Sequence, residues 1–371
     1  MDLSLNETQL LIKESTAGFV RNDFDKDTLL DLDLLPAPMT EDLWKKVSDL
    51  GWMGMLIPED YGGTGNSLTD VAVLFEELGR GPVPGPLFSS GVLAASIILK
   101  SGTDAQKKAW LPELATGQRS FAVAVTERQY GWSENHIQMS AAKNGADYTL
   151  SGAKLFVQDA ASVSDLLVLA RIEGEIAILR VDTTADGVSI RPLTGFISGS
   201  CEVQFNKVRI SGGDRLDGGW DAFEAGVQPA IPVLCAYKVG ACHAVFDLSV
   251  EYSRERMQFG QPIGRFQRVQ DHIIHIVNYL DSARWTTYEA LWKLDNAMDA
   301  AASVHMAKAV SSDSYLRACD FGHEVHAGIG VVREYGLTLH TKMSRTLFHH
   351  LGAPTYHRKK LEGALDLIPS A

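Results

Sequence analysis

The spacing of apolar residues changes twice along this chain, and that double change restricts the fold more than any single motif. Up to about residue 118 the apolar positions recur at helical intervals. Thr8-Gln9-Leu10-Leu11-Ile12 opens an amphipathic helix. A second opens over 41–47, behind Thr40, whose hydroxyl suits an N-cap. A polar stretch separates the two. The breaker-rich Ile57-Pro58-Glu59-Asp60-Tyr61-Gly62-Gly63-Thr64-Gly65 reads as an ordered turn. Helix resumes at Ser67, breaks over 79–86 and returns over 89–100. From about 119 to 215 the pattern is short, β-rich runs: 121–125, 166–171, 176–181, 188–193 and 201–210, with 148–152 and 154–157 flanking a turn. No long helix lies between them, which predicts an antiparallel barrel or sandwich and not a βαβ fold. Beyond about 216 long helices return at 236–257, 266–294 and 300–326, as in an antiparallel bundle. The predicted class is α+β multi-domain: an N-terminal helical domain (1–118), a middle antiparallel β-barrel or sandwich (119–215) and a C-terminal four-helix bundle (216–371).

Composition bounds the function. A chain of 371 residues exceeds one compact core. Its net charge of −12 does not suit neutralising a phosphate backbone, so no nucleic-acid partner is expected. Cys201, Cys235, Cys242 and Cys319 lack metal-ligand spacing and suit a reducing cytoplasm. His272 with His275, and His323 with His326, share helical faces. No third or fourth ligand follows, so no metal site is expected. The N-terminus has neither a basic start nor an apolar signal core. The apolar stretch 227–246 contains Pro229, Pro232 and Lys238 and reads as the buried start of a helix, so no membrane span is expected.

Five segments, in order, carry a resemblance. They are the 57–63 turn; Val125-Thr126-Glu127; Lys154-Leu155-Phe156-Val157-Gln158; Tyr252-Ser253-Arg254-Glu255-Arg256-Met257-Gln258-Phe259-Gly260-Gln261-Pro262-Ile263; and Gly328-Ile329-Gly330-Val331-Val332-Arg333-Glu334-Tyr335. With the helical–β–helical order, they resemble the acyl-CoA dehydrogenases. The resemblance implies FAD bound between two subunits, an acyl-CoA substrate, and electron transfer to an electron-transfer flavoprotein. It implies that Thr126 and its backbone bond the isoalloxazine edge, Phe156 packs on the ring and Gln158 donates nearby. Arg256 and Phe259 would reach a neighbour's FAD, Arg256 toward the pyrophosphate, where a guanidinium fork suits phosphate oxygens. Gln267 and the Gly328 turn would lie by the adenosine. Taken singly, Phe156 would read as core, Arg256 as a solvated helix-end cation and Gly328 as a helix stop.

The departures from the family's pattern are equally specific. Its base is a Glu in a Tyr-Glu-Gly-Thr stretch; the matching stretch here is His350-Leu351-Gly352-Ala353, with leucine in the base position. The family's second location for a base, before residue 236, holds Ala230 and Ile231. Trp132 takes the place of a flavin-side serine, and Glu324 that of a glutamine before the glycine turn. These losses point to the base-lacking subunit of an α2β2-type enzyme whose partner supplies the carboxylate. An alternative is a self-sufficient dehydrogenase with a relocated base, for which His350, His349, Glu134 and Asp271 are the candidates. A third reading is a non-redox acyl-CoA binder or hydratase-like relative. Gly91, Ala94 and Ala95 are small enough to leave room for a wide acyl group.

Overall fold

Four helices begin the chain in the computed structural model, which describes residues 4–365. They are α1 (Glu7–Asp23), α2 (Lys26–Leu32), α3 (Glu41–Asp49) and α4 (Leu68–Arg80). A π-helical segment, Leu87–Ala94, leads into α5 (Ala95–Ser101), and α6 (Asp104–Ala115) follows. Then come β1 (Phe121–Ala124), β2 (Ser140–Asn144), β3 (Asp147–Gln158), β4 (Asp165–Ile172), β5 (Glu175–Asp182), β6 (Val188–Pro192), β7 (Ser200–Ile210) and β8 (Arg215–Leu216). After helix α7 (Gly219–Glu255) a small hairpin pairs β9 (Met257–Gln258) with β10 (Gln261–Pro262). Helices α8 (Gln267–Asp295), α9 (Ala301–His326), α10 (Leu337–His349) and α11 (Pro354–Leu365) complete it. The class is the expected one, with helices flanking a central sheet.

Helix starts follow local chemistry. Asn6 and Gln9 form a reciprocal capping box on α1, and Thr40 accepts from Leu43 N at the head of α3, as the sequence predicts. The polar stretch between them contains α2, capped by Asp25, which a polar reading overlooks. The chain also folds into two compact units: one of residues 1–34, 68–83 and 231–371, the other of 35–67 and 84–230.

In the second unit the sheet runs β6-β7-β3-β2-β4-β5-β8, with β1 parallel to β4. Its ladders are mainly antiparallel, as expected, and the parallel pairings of β1 and β2 with β4 make it mixed. The turn expected between 152 and 154 does not form. β3 runs straight through Gly152, whose φ of +144° accompanies a register shift against β7. Alternating apolar residues, among them Leu150, Leu166, Val168, Leu179, Val203 and Val208, bury one core. The 57–63 turn needs glycine where it approaches itself: a Cβ on Gly63 would stand 2.0 Å from Ile57 O.

In the first unit α8 and α9 lie against each other, with α4 and α7 crossing closely. A Cβ on Gly240 would lie 1.7 Å from Glu76 O, and one on Gly79 would lie 1.9 Å from Tyr237 O. Helix α7 begins at Gly219, well before the expected 236, and passes through Pro229 and Pro232. Proline interrupts the hydrogen-bond ladder, but Ala230, Ile231, Val233, Leu234 and Cys235 are all buried beside it, and burial wins over propensity. An 18-residue window of this helix is apolar enough to cross a membrane, yet 67% of it is buried within the chain, as in a core helix. All four cysteines are buried free thiols.

Candidate active site

The sequence-predicted ring-side residues lie together in the second unit, around the end of β3. Leu155 N donates to Thr126 O at 2.8 Å, joining the two motif strands. Beneath them Lys154 is fully buried and donates to Val125 O at 3.0 Å and Glu127 Oε1 at 2.7 Å. Burial pushes Lys154 down to about 8, and the Glu127 carboxylate works against that shift. Glu127 also accepts from the amides of Gln138 and Met139, so this pair fixes the strand ends. Phe156 is 43% exposed at φ +53°, and the edge of Tyr130, itself at φ +53°, meets it with centroids 5.5 Å apart. The Gln158 amide is fully engaged. Its Nε2 donates to Ser198 O and Asp159 Oδ1, and its Oε1 accepts from Ser200. Trp132 packs 6.1 Å from Phe223. Glu134 is exposed in a 3-10 turn.

Sequence reasoning missed Asp159. Its side chain is buried, accepts from Ser89 on the π-helical segment, and is pushed up to about 6 by burial. Its only sequence signal is an acid directly after Gln158.

The other predicted residues lie in the first unit. The α7 end and the α9 end meet where Tyr252 stacks on His326 at 4.7 Å, with Tyr335 beside both. Past Tyr252 the β9–β10 hairpin projects: Phe259 is 90% exposed at φ +51°, and Arg256 is exposed with no side-chain ion pair among the described residues. Gln267 is the exposed first residue of α8. Gly328 is exposed in the turn after α9, and Glu324 is exposed on the last turn of that helix. His275 stacks on Phe321 at 4.7 Å, a packing role for a histidine of the pair considered for metal.

The base position lies just past α10. Leu351 is 1% exposed, at φ +58°, and Gly352 follows at φ +98°. His357 Nε2 lies 2.8 Å from Leu351 O. Burial, with the Lys308 and Lys238 ammonium groups, pushes His350 down to about 3; burial and Lys308 also lower the exposed His349. Tyr130, Phe156, Phe259 and Leu351 are thus non-glycine residues with left-handed backbones, each at or beside a motif position. Such conformations cost about 1–3 kcal/mol and gather at functional sites.

The family models for the acyl-CoA dehydrogenase N-terminal and C-terminal domains match residues 6–118 and 217–359. The acyl-CoA dehydrogenase FadE12 of Mycobacterium tuberculosis is 30% identical over 315 residues, covering 80% of this chain and 81% of FadE12. This chain belongs to the acyl-CoA dehydrogenase family. It is accordingly a flavin-dependent acyl-CoA oxidoreductase, in a family whose members use FAD. The fold agrees. Butyryl-CoA dehydrogenase from Megasphaera elsdenii superposes with a TM-score of 0.90 at 23% identity, over 98% of this chain and 100% of that one. A chain of the ChsE4–ChsE5 complex from Mycobacterium tuberculosis superposes at 0.91 and 23% identity, over the full length of both.

Proposed function

We propose that this acyl-CoA dehydrogenase chain is the base-lacking subunit of an α2β2-type enzyme. It completes its partner's FAD site through Arg256 and Phe259, and the partner supplies the carboxylate that removes the α-proton. One observation carries the reading: the base position is a buried leucine, which cannot take a proton. The buried imidazole directly before it does not replace it. His350, with a pKa of about 3, is unprotonated at neutral pH but too weakly basic to remove an α-proton with useful driving force.

When bound, FAD supplies the acceptor for the β-hydride. The residues of this chain fit it unequally. Arg256 and Phe259 suit the role of reaching a neighbour's flavin, since both are exposed and Arg256 has no competing ion pair among the described residues. Gln267 and Gly328 are open to the adenosine side in the same unit. Around Phe156 the fit fails: Tyr130 stands T-shaped against its ring, Gln158 has no free donor, and Trp132 replaces the small hydroxyl residue of the family's motif. Thr126 is the one ring-side residue left to contribute. That asymmetry supports a chain that lends a half-site and holds none of its own. The likeness to a chain of the ChsE4–ChsE5 complex is consistent with a hetero-oligomer. Electrons would pass to an electron-transfer flavoprotein, and the setting would be the cytoplasm.

Co-expression with an adjacent dehydrogenase gene, followed by flavin counting, tests this. The expected result is a mixed oligomer with one FAD for each pair of unlike chains. A homotetramer holding one FAD per chain would contradict it.

A further inference from the structure

Two fully buried lysines lie beneath the turn that carries Leu351. Lys238 on α7 and Lys308 on α9 both donate to Ser312 Oγ, at 2.8 and 3.0 Å. Lys308 Nζ also donates to Gly352 O at 2.9 Å and Phe348 O at 3.4 Å, so its bonds fall on both sides of residue 351. The Phe348 carbonyl needs a donor: α10 stops at His349, and the last carbonyls of a helix lack partners within it. A cation is favoured there. The turn also needs a tie, because Leu351 and Gly352 are consecutive left-handed residues, a cost of about 1–2 kcal/mol for the leucine.

Burial lowers Lys238 to about 8 and, together with Lys238, takes Lys308 well below its usual range, so the corner holds two weakened bases among mostly uncharged neighbours. Cys235 and Cys242 face the lysines from α7, both as neutral thiols raised by burial. From α9 come His305 and Asp313, the latter paired with Arg358 of α11. His357 on α11 and His349 and His350 at the end of α10 are held low. Burying one lysine is expensive, and burying two on a single hydroxyl is more so. That cost makes sense if the pair fixes something.

We propose that Lys308, braced by Ser312 and Lys238, is the positioning residue of the vacant base turn, and that this corner holds any carboxylate introduced at position 351 in its ionised form. The proposal rests on position 351 being the family's base position, but its tests read the turn and not turnover, so they stand whether or not a partner subunit exists. One substitution would therefore return a well-placed carboxylate, yet one weakened as a base by the cations below it.

Hydrogen exchange on the full chain tests the first part. Lys308→Met should speed backbone exchange over residues 349–357 about tenfold, the scale of one lost charged hydrogen bond. Lys238→Met should do so less, and α1 should be unchanged in both. Unaltered exchange over 349–357, or equal loosening of α1, overturns the positioning role. Leu351→Glu compared with Leu351→Gln tests the second part. The glutamate variant's stability relative to the glutamine variant should be level above about pH 4.3 and should fall as pH drops below it, because a carboxylate with a depressed pKa stabilises fully above its unfolded value and loses that gain as pH falls through its folded one. Adding Lys308→Met should shrink the gain. A glutamate variant that loses ground as pH rises, or fails to fold where the glutamine variant folds, overturns the charge claim; if neither folds, position 351 accepts no polar group and the claim is equally overturned.

Discussion

Ala327 ends α9 at φ +51° and ψ −134°, a backbone region that favours glycine. It stands directly before Gly328, in the turn proposed for the adenosine side. Ala327→Gly should therefore stabilise the chain by about 1 kcal/mol, read from urea denaturation midpoints, since the strain relieved exceeds the added unfolded-chain entropy. A loss of stability would show that the turn is not strained. Arg256 offers the matching functional test. In the complex with its partner, Arg256→Ala should weaken FAD binding by about 1.5–3 kcal/mol, the range for hydrogen bonds to charged groups. Arg256→Lys should restore little, because an ammonium lacks the planar fork. Fluorescence of released flavin measures both, and an unchanged affinity would remove Arg256 from the site.

At the scale of elements, the crossing of α4 and α7 is the tightest constraint. Gly240→Ala would place a methyl group 1.7 Å from Glu76 O, on backbone that cannot swing away. A cost of about 3 kcal/mol or outright misfolding is expected, seen by denaturation or loss of soluble protein, while the solvent-facing Gly260→Ala in the β9–β10 hairpin pays only for its positive φ. Much of the element order was legible. Helical spacing over 267–295 and 301–326, and alternation over 201–210, survive because those segments bury one face. Other features were not legible. The start of α7 was hidden by two prolines that local rules treat as breakers, and β3 by Gly152. The site divides the same way. The proposed roles of Arg256 and Phe259 and the missing acid at Leu351 rest on contiguous motifs. Lys238 and Lys308 meet on one serine only through the fold, 70 residues apart in sequence, and a lysine in an apolar run gives no hint of its partner. Left-handed backbones at Phe156 and Leu351 leave no mark in composition.

For the whole molecule, stability should depend on acid in a defined direction. His340, His350 and His357 are neutral in the folded chain and titrate at about 4, about 3 and about 2, all chiefly through burial. Unfolded, each would titrate near 6.5. Below that value unfolding takes up protons, so their contribution is complete above about pH 6.5 and is lost as pH falls, at up to about 1.4 kcal/mol per pH unit for each group. Asp159, raised to about 6, acts oppositely between about pH 4 and pH 6, one group against three. Denaturation midpoints should therefore drop steeply between pH 7 and pH 5; a flat profile would mean these imidazoles are not held neutral.

The family assignment requires a flavin-linked reaction, and the proposed function gives proton removal to another polypeptide because the side chain at 351 is aliphatic. The direct measurement is steady-state oxidation of acyl-CoA thioesters by this chain purified alone, supplied with FAD and an electron acceptor, against the same chain purified with its partner. The alone sample should show no turnover above background and the pair should show it. Turnover by the lone chain at the rate of the pair would contradict the account.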